Sequence, residues 1–306
     1  MVELTILIPT YNEASDIRET LDSLIALDYN DKEIIVVDAS KDETPQIVRS
    51  YPTDQIRLII QSRGRGRAAA RNEGLFAARG EIVVILNADV RLPKDFIQRI
   101  LKHYDAGADY VLVESQITNT AHNIPRYLQA MHQWQYPSRP EIEADMNWTE
   151  GFSCRREAAL AVGGIPEGDP VPLLAGEDGW FGENLAAAGY KKVFDRSIIV
   201  THVMPTSIKE FWDQRAGRSQ GMPQIWYMQH HWTKRHIYEV VIKSSVLALL
   251  GLLIPFPGFK RAWALAKYSR GLGDVIPFMA VDWLASTANM WGLIKGMIEL
   301  RRSRVH

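Results

Sequence analysis

Apolar runs of strand length alternate with helical periods along the first third of the chain. Leu4 to Pro9 is a short apolar run, and Ala14 to Leu27 then sets Ile17, Leu21, Leu24, Ile25 and Leu27 at helical spacing. Glu33 to Val37 reads as a second strand. Lys41 to Tyr51 reads as a helix with Thr44 as N-cap and Pro45 at its first position. Ile56 to Ile60, an Ala-rich helix over Arg67 to Ala78, and the apolar run Ile82 to Leu86 continue the alternation. Strand, helix, strand, helix at this spacing predicts a parallel sheet covered on both faces, which binds ligands beyond the carboxyl ends of its strands.

The middle of the chain is less regular. Tyr110 to Glu114 and Ile198 to Thr201 read as strands, Arg155 to Val162 and Trp180 to Ala188 as helices, the latter closed by Gly189. From 120 to 150 the chain is rich in Trp, Tyr, His and Pro without a clean period, as in a substrate loop or an irregular helical region. In the tail, Val240 to Phe256 is apolar but for Lys243, Ser244, Ser245 and the helix breaker Pro255. Val275 to Leu300 is interrupted by Pro277, Asp282, Lys295 and Glu299. A spanning helix needs about twenty mostly apolar residues. The embedded charges fit helices lying in a headgroup layer or a re-entrant hairpin, or packing against the body of the protein.

Composition narrows the classes. With 306 residues, 46% hydrophobic and 23% charged, the chain can bury a large core and is not globally disordered. A net charge of −1 gives no nucleic-acid binder by charge, and the single cysteine, Cys154, excludes an internal disulfide and a multi-cysteine zinc site. Strand-like residues begin at Leu4, so no signal peptide is expected ahead of the fold. The charge is uneven: from residue 231 onward eleven Lys and Arg face four acids, a net +7 on a remainder of −8. A basic, apolar tail on an acidic body is a membrane-surface pattern, with a solvated helical subdomain as the alternative.

Four segments at or after strand ends carry candidate chemistry. Pro9-Thr10-Tyr11-Asn12-Glu13 leaves the first strand as a polar loop. Val37-Asp38-Ala39-Ser40-Lys41-Asp42-Glu43-Thr44 puts acids on the crevice, where they accept hydrogen bonds from a ribose or base, or cap the next helix. Arg63-Gly64-Arg65-Gly66-Arg67 and Arg71-Asn72-Glu73-Gly74 combine glycines with phosphate-pairing arginines, and are neither a P-loop nor a dinucleotide fingerprint. Asn87-Ala88-Asp89 delivers a carboxylate able to hold a hard divalent cation.

In that order these segments resemble the family 2 glycosyltransferases. The likeness continues through Gly151-Phe152-Ser153-Cys154-Arg155-Arg156, Val162-Gly163-Gly164-Ile165-Pro166-Glu167, Gly176-Glu177-Asp178-Gly179-Trp180 and Ala188-Gly189-Tyr190, covering about residues 3 to 220. The resemblance implies an α/β GT-A fold, a mostly parallel Rossmann-like sheet flanked by helices. The expected catalytic domain is 1–225, with a helical, basic and apolar membrane-associating region over 226–306. It also implies an inverting hexosyltransferase that uses a UDP- or GDP-sugar, a divalent cation (manganese or magnesium) and a lipid-linked or saccharide acceptor, at the cytoplasmic face of the cell membrane.

Roles follow position by position from the same resemblance. Asp38 would contact the base, with Pro9, Thr10, Tyr11 and Glu13 around it. Arg71 would reach the nucleotide or its diphosphate, with Asn87, Ala88 and Asp89 alongside. Asp89 would bear the metal. Asp178 would be the catalytic base, with Glu177 and Trp180 toward the acceptor, and Arg215 and Arg218 would face the diphosphate. The chain departs from the family in two places. Asn87-Ala88-Asp89 stands where Asp-x-Asp is common, so the ion would need a further ligand. His202 resembles the later histidine that assists the metal in some relatives, a capping or core role being the alternative. The Asp38 segment is a residue shorter than the common Asp-Asp-Gly-Ser form. A polyprenyl-phosphate sugar synthase is a close variant. A sugar nucleotidyltransferase is disfavoured because no basic glycine loop directly follows the first strand.

Overall fold

The computed structural model describes residues 4–139, 143, 147–168, 172–254 and 256–302. Pro255 and Arg304, which entered the reading of the tail, lie outside the described residues, as does part of the 120–150 stretch. The chain forms two compact units that interleave in sequence. The first takes Met1–Gln116, Glu143–Glu167 and Glu177–His202, and the second Ile117–Ile142, Gly168–Gly176 and Val203–His306.

The first unit is built on one sheet. Its strands are β1 Leu4–Thr10, β2 Lys32–Asp38, β3 Ile56–Ile60, β4 Ile82–Ile85, β5 Val90–Arg91, β6 Tyr110–Ile117, β7 Phe152–Arg155 and β8 Lys192–His202. Their order is β3-β2-β1-β4-β7-β6-β8-β5. The strand–helix alternation of the sequence accounts for the parallel half, β3-β2-β1-β4. β7 then pairs antiparallel with both β4 and β6, and β5 with β8, so the sheet as a whole is mixed.

Period-two packing explains why both faces of the parallel half are covered. Ile6, Ile8, Ile34, Val36 and Val84 face one core, together with Ile17, Leu21 and Leu24 of the Ile17–Ile25 helix and Phe96 and Ile100 of the Phe96–Asp105 helix. Leu7, Ile35, Val37, Val83 and Ile85 face the other core, with Ala68, Ala70 and Leu75 of the Gly66–Ala77 helix. That helix lies close on β1: a Cβ at Gly74 would stand 2.0 Å from Leu7 Cδ1. The predicted helix at Lys41 to Tyr51 is shorter, Thr44–Arg49. Thr44 is its first residue rather than a side-chain N-cap, because its hydroxyl is engaged by Glu13 N and Asp42.

The second unit is helical: Asn123–Gln135, Ile208–Met228, Lys234–Leu253, Phe256–Ala266 and Val275–Arg302. The Asn123–Gln135 helix arises inside the stretch that shows no clean period. Its buried Ile124, Tyr127 and Leu128 pack with Phe211, Leu265 and Phe278. The Val275–Arg302 helix runs unusually near the Ile208–Met228 helix. A Cβ at Gly292 would meet Ala216 O at 2.2 Å, and one at Gly296 would meet Gln220 O at 2.1 Å.

The embedded charges of the tail divide: Lys243 and Lys295 are exposed, while Asp282 and Glu299 are engaged by neighbouring helices. Asp282 is buried and accepts from Tyr127 Oη at 2.7 Å and Arg261 Nη1 at 2.9 Å. Glu299 accepts from Gln220 Nε2 at 2.6 Å. A low-dielectric helix interface holds polar groups only where they find partners, as these do. Other large apolar side chains of the unit are turned outward. Ile276 is 79% exposed, Phe256 69% and Trp283 51%. Among the described residues no single helix is long and apolar enough to cross a membrane. The pair Lys234–Gly251 and Phe256–Ala266 has the length and composition together, but is bent by 84°.

Candidate active site

The register of β1 and β2 sets Thr10 opposite Asp38, and there the two strands are latched. Asp38 is buried. Its Oδ1 accepts from Thr10 Oγ1 at 2.7 Å and Ser40 Oγ at 2.6 Å, and its Oδ2 from Ser40 N at 3.2 Å. The loop beyond is cross-braced. Asn12 N donates to Ser40 Oγ at 2.7 Å, Lys41 N to Asn12 Oδ1 at 2.9 Å, and Glu13 N to Thr44 Oγ1 at 2.9 Å. Pro9 and Thr10 are buried in the strand, while Tyr11 is exposed at the loop tip. Asp42 receives Thr44 N and Ala14 N, and the Thr44 hydroxyl bond heads the causes that hold its carboxyl below the usual range. Asp42 is thus a turn-capping acid, the alternative that its sequence position left open.

Arg71 is the largest of the fully buried side chains among the described residues. It lies on the Gly66–Ala77 helix with no solvent exposure. Its Nη1 donates to Glu177 Oε1 at 2.8 Å, and its Nη2 to Asn87 Oδ1 at 3.0 Å and Thr149 Oγ1 at 2.9 Å. Glu177, also buried, accepts from half-exposed Arg67 Nε at 2.7 Å through the same oxygen. Arg71 Nε and Glu177 Oε2 have no hydrogen-bond partner among the described residues, so the pair rests on that one shared oxygen rather than on a closed fork. Burial pushes the Glu177 carboxyl up, but Arg67 and Arg71 outweigh it and hold it below its ordinary value. Arg71 is pulled down to about 10, first by burial and then by Arg67, and stays charged at neutral pH.

Around this centre stand carboxylates of opposite tendency. Asp178, part-buried in the first turn of the Glu177–Ala187 helix, is raised by burial and by Glu177 and Glu150. Its Oδ1 accepts from Gly179 N at 2.9 Å. Asp89 is raised by burial and by Glu150 and Asp16, with His202 opposing. Glu13 is raised to about 7, by burial first and then by Asp89, Asp16 and Asp42. His202 is buried and sits opposite Val90 in the β5–β8 pair, which brings its strand beside the residue that follows Asp89. Ala88 is buried, and Trp180 is part-buried next to Asp178.

Among the described residues no three His, Cys, Asp or Glu side chains converge as a ready-made metal centre. Asp89 and His202 offer one carboxylate and one imidazole in a neighbourhood with surplus negative charge. That donor set suits a hard divalent cation that draws its remaining ligands from a bound diphosphate.

Thr149 and Glu150 are the residues that sequence reasoning missed. They lie in the aperiodic stretch, just ahead of the Gly151-Phe152-Ser153-Cys154 segment. β7 pairs antiparallel with β4, Phe152 opposite Ile85, and the residues just ahead of it reach that centre: Thr149 Oγ1 accepts from Arg71, and the Glu150 charge acts on both Asp89 and Asp178. Trp148 anchors the segment, its Nε1 donating to Val113 O at 3.1 Å and its ring meeting Phe194 edge-on. Arg215 and Arg218 belong to the helical unit, on the Ile208–Met228 helix. Arg218 is exposed, whereas Arg215 is part-buried over the Phe211 ring at 5.6 Å and is lowered by burial and by Arg218.

Several relatives share parts of this chain. The succinoglycan biosynthesis protein ExoO of Rhizobium meliloti is 33% identical over 114 residues, 37% of this chain and 33% of that protein. The glycosyltransferase AglE of Haloferax volcanii is 26% identical over 235 residues, 74% of each chain. A poly-beta-1,6-N-acetyl-D-glucosamine synthase of Staphylococcus aureus is 23% identical over 266 residues, 82% of this chain and 63% of the synthase. The chain thus spans a third of the first and under two thirds of the last.

Two solved structures share the fold. The mannosyltransferase PcManGT of Pyrobaculum calidifontis, in complex with GDP-Man and Mn2+, superposes at a TM-score of 0.58 with 23% identity, over 98% of this chain and 74% of that one. S. aureus TarS 1-349 with UDP-GlcNAc superposes at 0.54 with 18% identity, over 98% and 92%. At such identities these two speak for the fold, which is GT-A. Residues 5–162, more than half of the 306, match the family model for glycosyl transferase family 2. With the family model matching over that span, the chain belongs to glycosyl transferase family 2.

Proposed function

We propose that the protein is an inverting hexosyltransferase that moves a sugar from a UDP- or GDP-sugar to a lipid-linked or polysaccharide acceptor, with a divalent cation bound at Asp89 and His202. The observation that carries this reading is the bridge through Arg71. One guanidinium bonds Asn87, two residues before Asp89, and Glu177, one residue before Asp178. The acid suited to the leaving group and the acid suited to the acceptor thus border one site. The acceptor oxygen attacks the anomeric carbon as the bond from that carbon to the phosphate oxygen breaks. Asp178 takes the hydroxyl proton, and the nucleoside diphosphate departs with the bonding pair. Burial beside Glu177 and Glu150 makes Asp178 a stronger base than a solvated aspartate. A bound manganese or magnesium ion would offset the charge growing on the diphosphate. Asp38, Tyr11 and Glu13 line the nucleotide end in this reading and Trp180 the acceptor end, while Glu177, buried against Arg71, lies behind it rather than in contact with the acceptor.

Residues 226–306 serve in this proposal as a membrane-associating region on the cytoplasmic face. Its support is the outward apolar set of the helical unit, with exposed Lys243, Lys260 and Lys267 among it. That surface favours an acceptor carried on a lipid. A sugar nucleotidyltransferase has no support from a chain of this family.

Asp178→Asn is the test. Transfer to a hydroxyl acceptor should fall by two orders of magnitude or more, roughly the worth of a general base, while calorimetry shows donor binding unchanged. Transfer that survives with a polyprenyl phosphate, whose oxygen is already ionised, identifies that acceptor instead. Undiminished transfer to a hydroxyl overturns the assignment of the base.

A further inference from the structure

Arg71 is buried too deeply for the nucleotide contact that the family resemblance implies, and both of its terminal nitrogens are engaged by protein acceptors. Its side chain has no exposed surface. Nη1 is spent on Glu177, and Nη2 on Asn87 and Thr149. The three acceptors come from three separate segments, 106, 16 and 78 positions away in sequence. Each precedes an acid by one or two residues: Glu177 before Asp178, Asn87 before Asp89, Thr149 before Glu150. The helix that carries it lies close on β1, a Cβ at Gly74 standing 2.0 Å from Leu7 Cδ1.

We propose that Arg71 is a positioning residue, a single buried fork that holds the segments bearing Asp89, Glu150 and Asp178 in mutual register without touching the nucleotide. This rests on the functional reading above and assigns Glu150 as the third acid of the site. Arginine suits the task because its planar guanidinium serves three acceptors from fixed directions. A lysine ammonium at the end of a flexible stem cannot replace it. Misplacing catalytic groups by about an ångström costs on the order of a hundredfold in rate. The effect therefore falls on turnover, not on affinity.

The test compares Arg71→Lys and Thr149→Val with the wild type in the full chain, using UDP- and GDP-sugars with manganese. Thr149→Val removes one acceptor while keeping shape and charge, and so guards against a variant that simply fails to fold. We expect kcat to fall about tenfold in Thr149→Val, the worth of one lost buried hydrogen bond, and about a hundredfold in Arg71→Lys. The KM for the donor and the Kd for UDP or GDP should stay within about threefold. Nucleotide affinity falling in step with kcat overturns the proposal in favour of direct contact. Melting temperatures that fall with kcat unchanged reduce Arg71 to a structural role. A wild type inert toward every such donor overturns the function and the positioning role together, whereas an active wild type matched by both variants overturns the positioning role alone.

Discussion

Glu177 Oε1 lies 2.8 Å from Arg71 Nη1, and neither side chain reaches solvent. The same oxygen takes Arg67 Nε, whose side chain is 48% exposed. The two arginines are therefore not equivalent. Removing one member of a buried pair strands a desolvated charge, at about 3–5 kcal/mol, whereas a solvent-screened pair is worth about 0–1 kcal/mol. Glu177→Ala should destabilise the protein by the larger figure and Arg67→Ala by the smaller, as read from denaturant midpoints. Equal losses would mean that burial does not set the strength of this pair.

The proposed metal pair makes a separate prediction. Asp89→Ala and His202→Ala should each weaken manganese-dependent binding of UDP or GDP by on the order of tenfold or more, since a cation with two protein ligands loses half of its protein anchorage. Calorimetry with and without manganese reads this directly. If nucleotide affinity is independent of manganese in the wild type, the pair is not a metal site.

Glu13 gives a pH signature. Its carboxyl is raised from 4.5 to about 7 in the fold, chiefly by burial, so the folded chain holds that proton more tightly than the unfolded chain does. Stability therefore falls as pH rises from about 4.5 to about 7, and the full penalty applies above that window. Glu13→Gln should melt like the wild type at pH 4 and a few degrees higher at pH 8, measured without divalent cation. A variant that melts lower than the wild type at pH 8 contradicts the raised carboxyl.

Helix contact in the helical unit depends on residues without side chains. A methyl at position 292 would press on the Ala216 carbonyl, which belongs to backbone and cannot swing aside. Gly292→Ala should cost about 1–3 kcal/mol, the usual range for overpacking, while the exposed Gly273→Ala should be near neutral. Calorimetric unfolding of the two variants checks the contrast.

The outward apolar face predicts vesicle binding. Phe256→Asp combined with Ile276→Asp should reduce co-sedimentation with anionic vesicles by tenfold or more, at about 25 cal/mol per Å2 of apolar surface kept from water plus the new repulsion. Transfer to a soluble acceptor should be unchanged. Equal sedimentation of variant and wild type would leave this face without a membrane role.

The parallel half of the sheet was legible because its signal is local. Ile6 and Leu7, or Val36 and Val37, fall into opposite cores simply because a strand turns successive side chains to opposite faces, and the run is apolar because both faces are covered. The loops at Asp38 and Asn87 were placed by the same logic, as exits of strands whose ends are in register. Composition alone limited the tail to a few amphipathic outcomes.

What a side chain does with its polar atoms was settled elsewhere. That Arg71 bonds Glu177, Asn87 and Thr149 cannot be read from the sequence, since the three lie far from it and from one another along the chain. Glu150 reads as part of an aperiodic stretch until the fold brings its charge to bear on Asp89 and Asp178. Asp282 and Glu299 read only as charges interrupting an apolar stretch until neighbouring helices supply Tyr127, Arg261 and Gln220 as partners. In each case the desolvation of a charge is decided by residues far off in the chain. Periodicity records which positions are hidden from water, but only the assembled packing determines what each hidden group is bonded to.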